Sequence, residues 1–476
     1  MFDPTTYASR ALTIAAELDG DDKVAPLRRT LEIIGTDVVG ENPHPERVAQ
    51  GRAVLDHAGE PVRNEIFRPA QLPDTHFMRF VIVDDRLPSG EYKVPDNRLP
   101  PMLVWECNHD GDPRDYLRKV VQKATSDAPG VHLDFDAVFG ACKAYPGMKR
   151  EDAWIEWMMD HAIRAEAFYS GYRGVPKVKV DAAGRVHEVI RTYLDQHRQR
   201  VSKMTEAELR AAIVAHVRSM PPGLQPGDLE PAPPRGTGFF LRKWATLVLI
   251  GFAALLLLTV LLPVTIWWYL TLRKHEQRDK PAGANRAVHG MPDLIAVEDR
   301  IVQNQLTHLV DLKPGFFRYF TQRVVLFAID QLARIWFVNG ELGGIASIHF
   351  ARWVILHDRR EDIPREKRRD RLLFFSNYDF SWDSYLGEFV DRASGGLTAV
   401  WSNTEGYPRT RNLLDEGADD EETFKQWARD RQIASQVWWS GVRYSSVENV
   451  NDDIAVHRGL FAELEPAQVT QWLQRI

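Results

Sequence analysis

The clearest pattern of apolar and polar positions lies in the C-terminal part of the chain. Residues 304–313 alternate between apolar and polar side chains, which is typical of a half-buried strand. Pro314 and Gly315 then introduce residues 316–340, whose apolar side chains recur at helical spacing up to a final glycine. The pattern therefore predicts a strand followed by a long helix.

Shorter segments after residue 340 predict further strands and helices. The runs 347–356 and 371–379 are rich in β-branched and aromatic residues, and a charged loop separates them, so we predict a pair of strands. Residues 383–393 place apolar side chains on one helical stripe, and residues 397–403 indicate another strand. The predicted order is thus β-α-β-β-α-β. A further helix and a further strand extend the unit, over 421–433 and 435–444.

The same series occurs earlier in the chain, which indicates an internal duplication. The segment HFMRFVIVDD (76–85) recurs as HFARWVILHD (349–358), and later matches keep their order at a nearly constant offset. Repeats of this kind mark repeated structural units. We therefore predict two related copies, with a repeat core over 75–190 and its counterpart over 348–460. The opening strand and helix of the first copy, expected near 29–60, diverge most.

An uninterrupted apolar run separates the two copies. Residues 244–272 carry no charged side chain, and aromatic residues stand near both ends of the run. A spanning helix needs about 20 apolar residues, so the pattern predicts a transmembrane segment over 242–273. A proline-rich linker over 219–241 precedes it, and a loop-like linker over 274–300 follows it. The first domain then covers 1–218 and the second covers 301–476.

The charges around this segment favour one topology and leave a second open. More basic residues follow the segment than precede it, so the positive-inside rule predicts an inner or plasma membrane protein with a cytoplasmic C-terminal domain. Both flanks are nevertheless basic, and Pro263 lies within the run. A re-entrant hairpin, with both copies on the same side of the membrane, is the alternative.

Composition narrows the classes of function. The 60 basic and 66 acidic residues are mixed along the chain, which argues against nucleic acid as a partner. The two cysteines, Cys107 and Cys142, exclude a disulfide framework and show no metal-binding spacing. The sequence also carries no recognised motif for nucleotide binding, hydrolysis or phosphoryl transfer, so whether the protein is an enzyme stays open.

The candidate ligand-binding residues are the polar side chains that match between the copies. They are His76, Arg79, Asn108 and Asp110 in the first copy, and His349, Arg352, Asn377, Asp379, Tyr407 and Arg443 in the second. Within each copy, the histidine and the arginine stand three apart on a strand, so we expect them on opposite faces. Each type also has a structural interpretation: the histidines as hydrogen-bonded strand residues, the Asn-x-Asp pairs as turn and N-cap residues, and Arg443 in a buried ion pair.

The element order of the unit resembles that of the ferredoxin-like, dimeric α+β barrel group, which includes Dyp-type peroxidases and chlorite-dismutase-like haem proteins. The resemblance is carried by the β-α-β-β-α-β order, and the haem-binding motifs of those enzymes are not evident. It implies that the paired units close sheet against sheet. It also implies haem as a candidate cofactor, with His349 or His308 as the iron ligand.

Together these patterns predict an α+β protein with two duplicated ferredoxin-like domains that flank one transmembrane segment. We expect a membrane-anchored binding or interaction protein, which holds a small-molecule or lipid ligand, or a partner, near the bilayer, and which has scope to form oligomers. A haem-dependent, peroxidase-like oxidoreductase is the alternative.

Overall fold

The computed structural model describes most of the chain. The described residues are 9–36, 64–86, 94–172, 174–220, 237–259, 261–280, 298, 301–337, 340–442 and 444–476. The strands are β1 (Ser9–Glu17), β2 (Thr75–Val83), β3 (Met102–Asp110), β4 (Ala165–Ser170), β5 (Gln303–Asp311), β6 (Ile348–Leu356), β7 (Arg371–Asp379), β8 (Thr410–Arg411), β9 (Asp415–Glu416) and β10 (Val437–Ser440). The α-helices are α1 (Val24–Thr36), α2 (Pro113–Ala124), α3 (Phe135–Phe139), α4 (Glu151–Asp160), α5 (Lys177–Gln196), α6 (Arg198–Val201), α7 (Glu206–Arg218), α8 (Thr237–Thr259), α9 (Leu262–Arg278), α10 (Phe316–Ile335), α11 (Trp382–Trp401), α12 (Glu421–Asp430), α13 (Val447–Phe461) and α14 (Pro466–Leu473).

Two four-stranded antiparallel sheets form the centre of the molecule. The first sheet has the strand order β1-β3-β2-β10, and the second has the order β4-β6-β7-β5. Each sheet takes three strands from one copy and its fourth strand from the other. β10, from the second copy, pairs with β2, and β4, from the first copy, pairs with β6. The two copies therefore exchange their last strands and build both sheets jointly.

Alternation along the central strands explains why both faces of each sheet are buried. In β2, Met78 and Phe80 face a core that helices α1 to α4 cover. Phe77 and Val81 face the opposite way and contact residues of the second sheet. β6 and β7 alternate in the same manner between the second sheet's helices, α10 to α12, and the first sheet. The molecule is thus layered as helices, sheet, sheet and helices.

A glycine ends each exchanged strand. Gly171 follows β4, and its amide donates a hydrogen bond to the His349 carbonyl at 2.8 Å; Gly441 follows β10 and donates to the His76 carbonyl at 2.7 Å. A Cβ atom on Gly171 would lie 2.4 Å from the Ile348 carbonyl oxygen. One on Gly441 would lie 3.0 Å from the His76 carbonyl oxygen. Glycine therefore permits the close approach that joins the two copies.

Two predictions of secondary structure are wrong. The segment 397–403, expected as a strand, forms the end of helix α11, which is interrupted by non-helical backbone at Ala393. The opening strand of the first copy, β1, lies wholly before the expected range 29–60, and the opening helix, α1, overlaps only the start of that range. Residues 37–60 lie outside the described part of the chain. The predicted strands over 304–313, 347–356 and 371–379 are confirmed, and of the strand predicted over 435–444 the structure shows the central part, Val437–Ser440.

The apolar run between the copies does not form one spanning helix. It is divided between α8, which ends at Thr259, and α9, which begins at Leu262 with Pro263 in its first turn, where the missing N–H is tolerated. Further along α9, the buried Glu276 carboxylate accepts hydrogen bonds from the amides of Asn412 and Leu413, so this helix packs on the second copy.

The membrane predictions are therefore wrong. Within the described ranges, none of the helices combines the length and the apolar character that crossing a bilayer requires. This finding overturns the transmembrane segment over 242–273, the fold class of two domains flanking it, and the membrane localisation with a cytoplasmic C-terminal domain. Strand exchange gives an independent reason against a single span, because copies that share both sheets cannot lie on opposite sides of a bilayer.

Candidate functional site

Three of the charged side chains between the sheets form a buried cluster. Arg79 donates from Nε to Glu106 Oε2 at 2.9 Å, and Arg352 Nη2 lies 2.8 Å from Glu106 Oε1. All three side chains are almost fully buried. Burial lowers the pKa of both guanidinium groups, and the Glu106 carboxylate opposes that change. One carboxylate thus pairs with two arginines, one from each copy.

The arginines of this cluster also reach across to the opposite copy. Arg79 Nη2 donates to Asn377 Oδ1 at 2.5 Å and to the Ser376 carbonyl at 3.1 Å. Arg352 reciprocates by donating to the Asn108 side chain and, at 2.9 Å, to the Cys107 carbonyl. These donors have protein acceptors already. The cluster therefore ties the two sheets together, and these hydrogen bonds occupy the Nη groups of both arginines with protein acceptors.

The matched histidines belong to a second pair of contacts. His76 Nε2 lies 2.9 Å from Asp110 Oδ1, and His349 Nε2 lies 2.8 Å from Asp379 Oδ1. The other oxygen of Asp110 accepts from the first amide of α5, at 2.5 Å, and that of Asp379 accepts from the first amide of α13, at 2.7 Å. Each aspartate therefore caps a helix that is distant in sequence, whereas Asp112 and Ser381 cap the helices that follow directly.

The expectation that His76 and Arg79 lie on opposite faces is wrong. The pairing of β2 with β3 shifts between Thr75 and Phe77, so His76 is the extra residue of a β-bulge. The same shift occurs between Ile348 and Phe350 in β6. The bulge turns the His76 ring towards the second sheet, where it lies 5.4 Å from the Phe350 ring.

The remaining candidate residues lie apart from these contacts. Tyr407 is buried in the helix-covered core of the second copy, with its ring 4.9 Å from that of Trp427. Burial raises the pKa of its hydroxyl. Arg443, and its counterpart Arg173, lie outside the described residues. The structure therefore brings together eight of the ten candidates, in two structural clusters between the sheets.

Neither candidate iron ligand has surroundings that fit haem. The His349 ring is fully buried, is bonded to Asp379, and lies 5.2 Å from the Phe77 ring. His308 lies between Trp401 and Trp427, at ring distances of 4.6 and 4.7 Å. Burial lowers the pKa of His308 to about 3. Both rings are enclosed by protein side chains, so no face is open to a porphyrin, and we derive no reaction from haem.

A cleft opens at one end of the space between the sheets. We call it the inter-sheet cleft; its volume is about 380 Å³. Its walls combine the last residues of β1 and β6, the first residues of β3 and β7, the residues from His161 to Glu166, and a loop that follows β6. Both copies therefore contribute to it. Pockets of this size accommodate small organic ligands.

Apolar and basic side chains line different parts of the inter-sheet cleft. The apolar ones include Ala15, Leu99, Met102, Ile163 and Leu356. The basic ones are Lys143, Arg164, Arg359, Arg360, Arg369 and Arg371, and the acidic ones are Glu17, Glu166 and Asp358. Basic side chains therefore outnumber acidic ones among the charged residues of the lining.

Three of the basic residues at the cleft have carboxylate partners. Lys143 is paired with Glu17 at 2.8 Å. Arg369 bridges Asp85 and Asp311, with nitrogen–oxygen distances of 2.7 and 2.8 Å. Arg360 is paired with Asp358 at 2.5 Å. The ion pairs of Arg369 join the loop after β6 to the first copy and to β5, and they fix the shape of this wall.

Arg371 differs from these ion-paired basic residues in its polar contacts. The residue is 4% exposed, and within the described part of the chain its side chain makes one hydrogen bond, from Nη2 to the thioether sulfur of Met102 at 3.7 Å. Across the described chain, its Nε has no hydrogen-bond partner. Burial lowers the pKa of this guanidinium, while Asp311 and Asp85 act in the opposite direction. A sulfur atom is a weak acceptor, so a buried charged donor here lacks a strong partner.

The residues of the cleft were not among the sequence candidates. Arg371 and Met102 are the first residues of β7 and β3, which are equivalent strands of the two copies. A search for residues that match between the copies passes over this position, because one copy has arginine and the other methionine. The sequence did contain one indication of this position: Arg371 and Met102 differ at the start of two strands that otherwise match well.

The structure leaves the resemblance to the dimeric α+β barrel group as a prediction, although the sheets do pack face to face. Against known proteins, the chain matches no family model, no curated protein and no solved structure.

Proposed function

We propose that this is a binding protein whose inter-sheet cleft holds a small organic anion with an apolar body. The observation that carries the proposal is the Arg371 guanidinium, which is buried at the cleft and whose Nε finds no oxygen acceptor among the residues that the structure describes. A buried charge without a strong partner is costly, and an anionic ligand would supply that partner. The binding function expected from the sequence is thus retained, without the membrane anchor.

The apolar part of the lining supports a ligand that has an apolar body as well as a charged group. Leu356 is the cross-strand neighbour of Arg371, and its side chain faces the first sheet. Ala15 and Ile163 line the cleft from the first copy. An alkyl or aryl group that displaced water from these side chains would gain about 25 cal/mol per Å² of apolar surface buried. Charge and apolar contact together therefore favour an amphiphilic anion over an inorganic one.

Isothermal titration calorimetry with octanoate tests the proposal. The full chain should bind octanoate at least tenfold more tightly than octan-1-ol, which has the same chain and no charge. The variant Arg371→Met should bind octanoate about 10- to 100-fold more weakly, because a hydrogen bond to a charged group contributes about 1.5–3 kcal/mol.

The control is Arg118→Met, which removes an exposed arginine whose partner is Asp115 on the same helix. It should bind octanoate as the unaltered chain does. Equal affinity of the unaltered chain for octanoate and octan-1-ol would overturn the proposal, as would undiminished binding of octanoate by Arg371→Met.

A further inference from the structure

We infer that Arg371 forms a carboxylate subsite whose bonding edge is covered by Met102 until a ligand displaces the thioether. The inference deepens the proposed function and rests on it, because it names the anionic group and the residue that admits it. Three observations lead to it: the identity of the free donors, the position of Met102, and the charges that surround the guanidinium.

The donors of Arg371 that lack an oxygen acceptor lie on one edge. Nε–H and the adjacent Nη2–H of a guanidinium point the same way, and together they form the fork that binds a carboxylate through two parallel hydrogen bonds. In this protein, Nε has no partner among the described residues, and within the same part of the chain Nη2 donates only to the sulfur atom of Met102. The edge that recognises carboxylates is therefore the edge without an oxygen.

Met102 occupies the place that an oxygen ligand would take. Its sulfur lies 3.7 Å from Arg371 Nη2, and its side chain, which is half-buried, lines the same cleft. Methionine has an unbranched side chain with three rotatable bonds, so it moves aside at little cost. The thioether is also a poor acceptor and competes weakly with a carboxylate. Met102 thus shields the guanidinium from water in the free protein and yields to the ligand.

The charges around Arg371 favour a ligand with a single negative charge. Asp311 is the cross-strand neighbour of Arg371 on β5, and both Asp311 and Asp85 act on its guanidinium electrostatically. Arg369 is paired with both carboxylates and also acts on the Arg371 guanidinium, so these two arginines and two aspartates together carry no net charge before a ligand binds. A phosphate dianion would leave more uncompensated negative charge at this buried site than a carboxylate monoanion would. The structure therefore assigns a monocarboxylate with an apolar body.

The variant Met102→Glu tests the subsite by supplying a carboxylate from the chain itself. Its carboxylate should occupy the fork of Arg371, so octanoate should bind about 10- to 100-fold more weakly. The melting temperature of the ligand-free protein should rise. The control Met102→Gln has the same length without the charge and should keep octanoate affinity within about threefold of the unaltered chain.

A second measurement compares ligands on the unaltered chain. At pH 8, octanoate should bind at least tenfold more tightly than octyl phosphate, which carries two negative charges. Undiminished octanoate binding by Met102→Glu, without a rise in its melting temperature, would overturn the role of Met102. Equal affinity for octyl phosphate would overturn the assignment of a monocarboxylate.

These outcomes separate the two proposals. If the unaltered chain binds neither probe and Met102→Glu is still stabilised, the Nε–Nη2 edge of Arg371 does accept a carboxylate, but the proposed binding function fails. If octanoate binds in an Arg371-dependent manner and Met102→Glu changes nothing, the binding function stands and the inference about Met102 fails.

Discussion

Glu106 is the residue on which the buried charges between the sheets depend. It accepts a hydrogen bond from Arg79 and is ion-paired with Arg352, and the three side chains lie where the two copies face each other. Its equivalent on β7 is Phe375, which is the cross-strand neighbour of Arg352, as Glu106 is of Arg79. The Arg79 guanidinium also lies 5.1 Å from the centre of the Phe375 ring. The duplicated halves are therefore not equal at their shared centre.

We predict that Glu106→Gln destabilises the protein by about 3–5 kcal/mol, because it leaves two buried guanidinium groups without a carboxylate. The measurement is urea unfolding followed by circular dichroism. The matched control is Glu156→Gln, which breaks an exposed ion pair with Arg114 and should change stability little. A Glu106→Gln variant as stable as this control would contradict the account of the cluster.

The same cluster shows what the sequence could and could not indicate at the residue scale. Matching the two copies located Arg79, Arg352, Asn108 and Asn377, which the structure brings together. Residues that two copies share are those that both halves need for packing, and so the matches led to the core. Arg371 was missed because its function depends on a difference between the copies. No residue pattern indicates that its partner across the cleft is a thioether.

Among the secondary-structure elements, the exchanged strands are the ones that join the copies. β4 and β10 are short, and each is followed by a glycine whose amide bonds to the opposite copy. The approach at Gly171 leaves no room for a Cβ atom, since both the Ile348 carbonyl and a Val447 methyl group are within 3.2 Å of its position. Whether the strands exchange therefore depends on the absence of side chains at these two points.

We predict that Gly171→Ala lowers the free energy of unfolding by about 1–3 kcal/mol, since the added methyl group forces β4 away from β6. Gly184→Ala is the control, because Gly184 lies within α5 and an added Cβ meets only the Asp453 carboxylate, at 3.5 Å. Alanine favours helices more than glycine does, so the control should be stabilised or unchanged. Equal stability of the two variants would exclude the close approach as the reason for glycine.

Strands and helices were predicted well where the apolar side chains recur at a clear period. They were predicted poorly where tertiary contacts determine the secondary structure. The four clearest strands of the second copy were found from alternation and β-branched runs. β1 was missed because its sequence, SRALTIAAE, is rich in alanine and weak in strand preference, and its pairing with β3 along its full length stabilises it. The run 397–403 was mistaken for a strand because a short apolar run also suits a buried helix end.

The whole molecule behaves as one folding unit because neither copy holds a complete sheet. The first sheet lacks β10 without the second copy, and the second sheet lacks β4 without the first. The two fragments 1–230 and 231–476, produced together in one cell, should therefore associate and purify as a one-to-one complex through a tag on either fragment. Size-exclusion chromatography and denaturing electrophoresis measure this result.

Each fragment produced alone provides the control. Fragment 1–230 has an uncovered β2 edge, and fragment 231–476 has an uncovered β6 edge, so each alone should aggregate or form mixed assemblies. Two fragments that were separately soluble and monomeric, and that did not associate when mixed, would contradict the exchange. This arrangement was not foreseeable from the sequence, because alternation shows which face of a strand is buried and not which sheet receives it.

Strand exchange also determines when the strands can pair while the chain is being synthesised. The edge of β2 that receives β10 has no partner until residue 440 has left the ribosome. At about 5–20 residues per second, that wait lasts on the order of tens of seconds. During this time THFMRFVIV, an apolar segment with one charged residue, presents unpaired backbone groups to other nascent chains. Translation speed and chaperones that shield strand edges should therefore affect the yield of this protein more strongly than its final stability suggests.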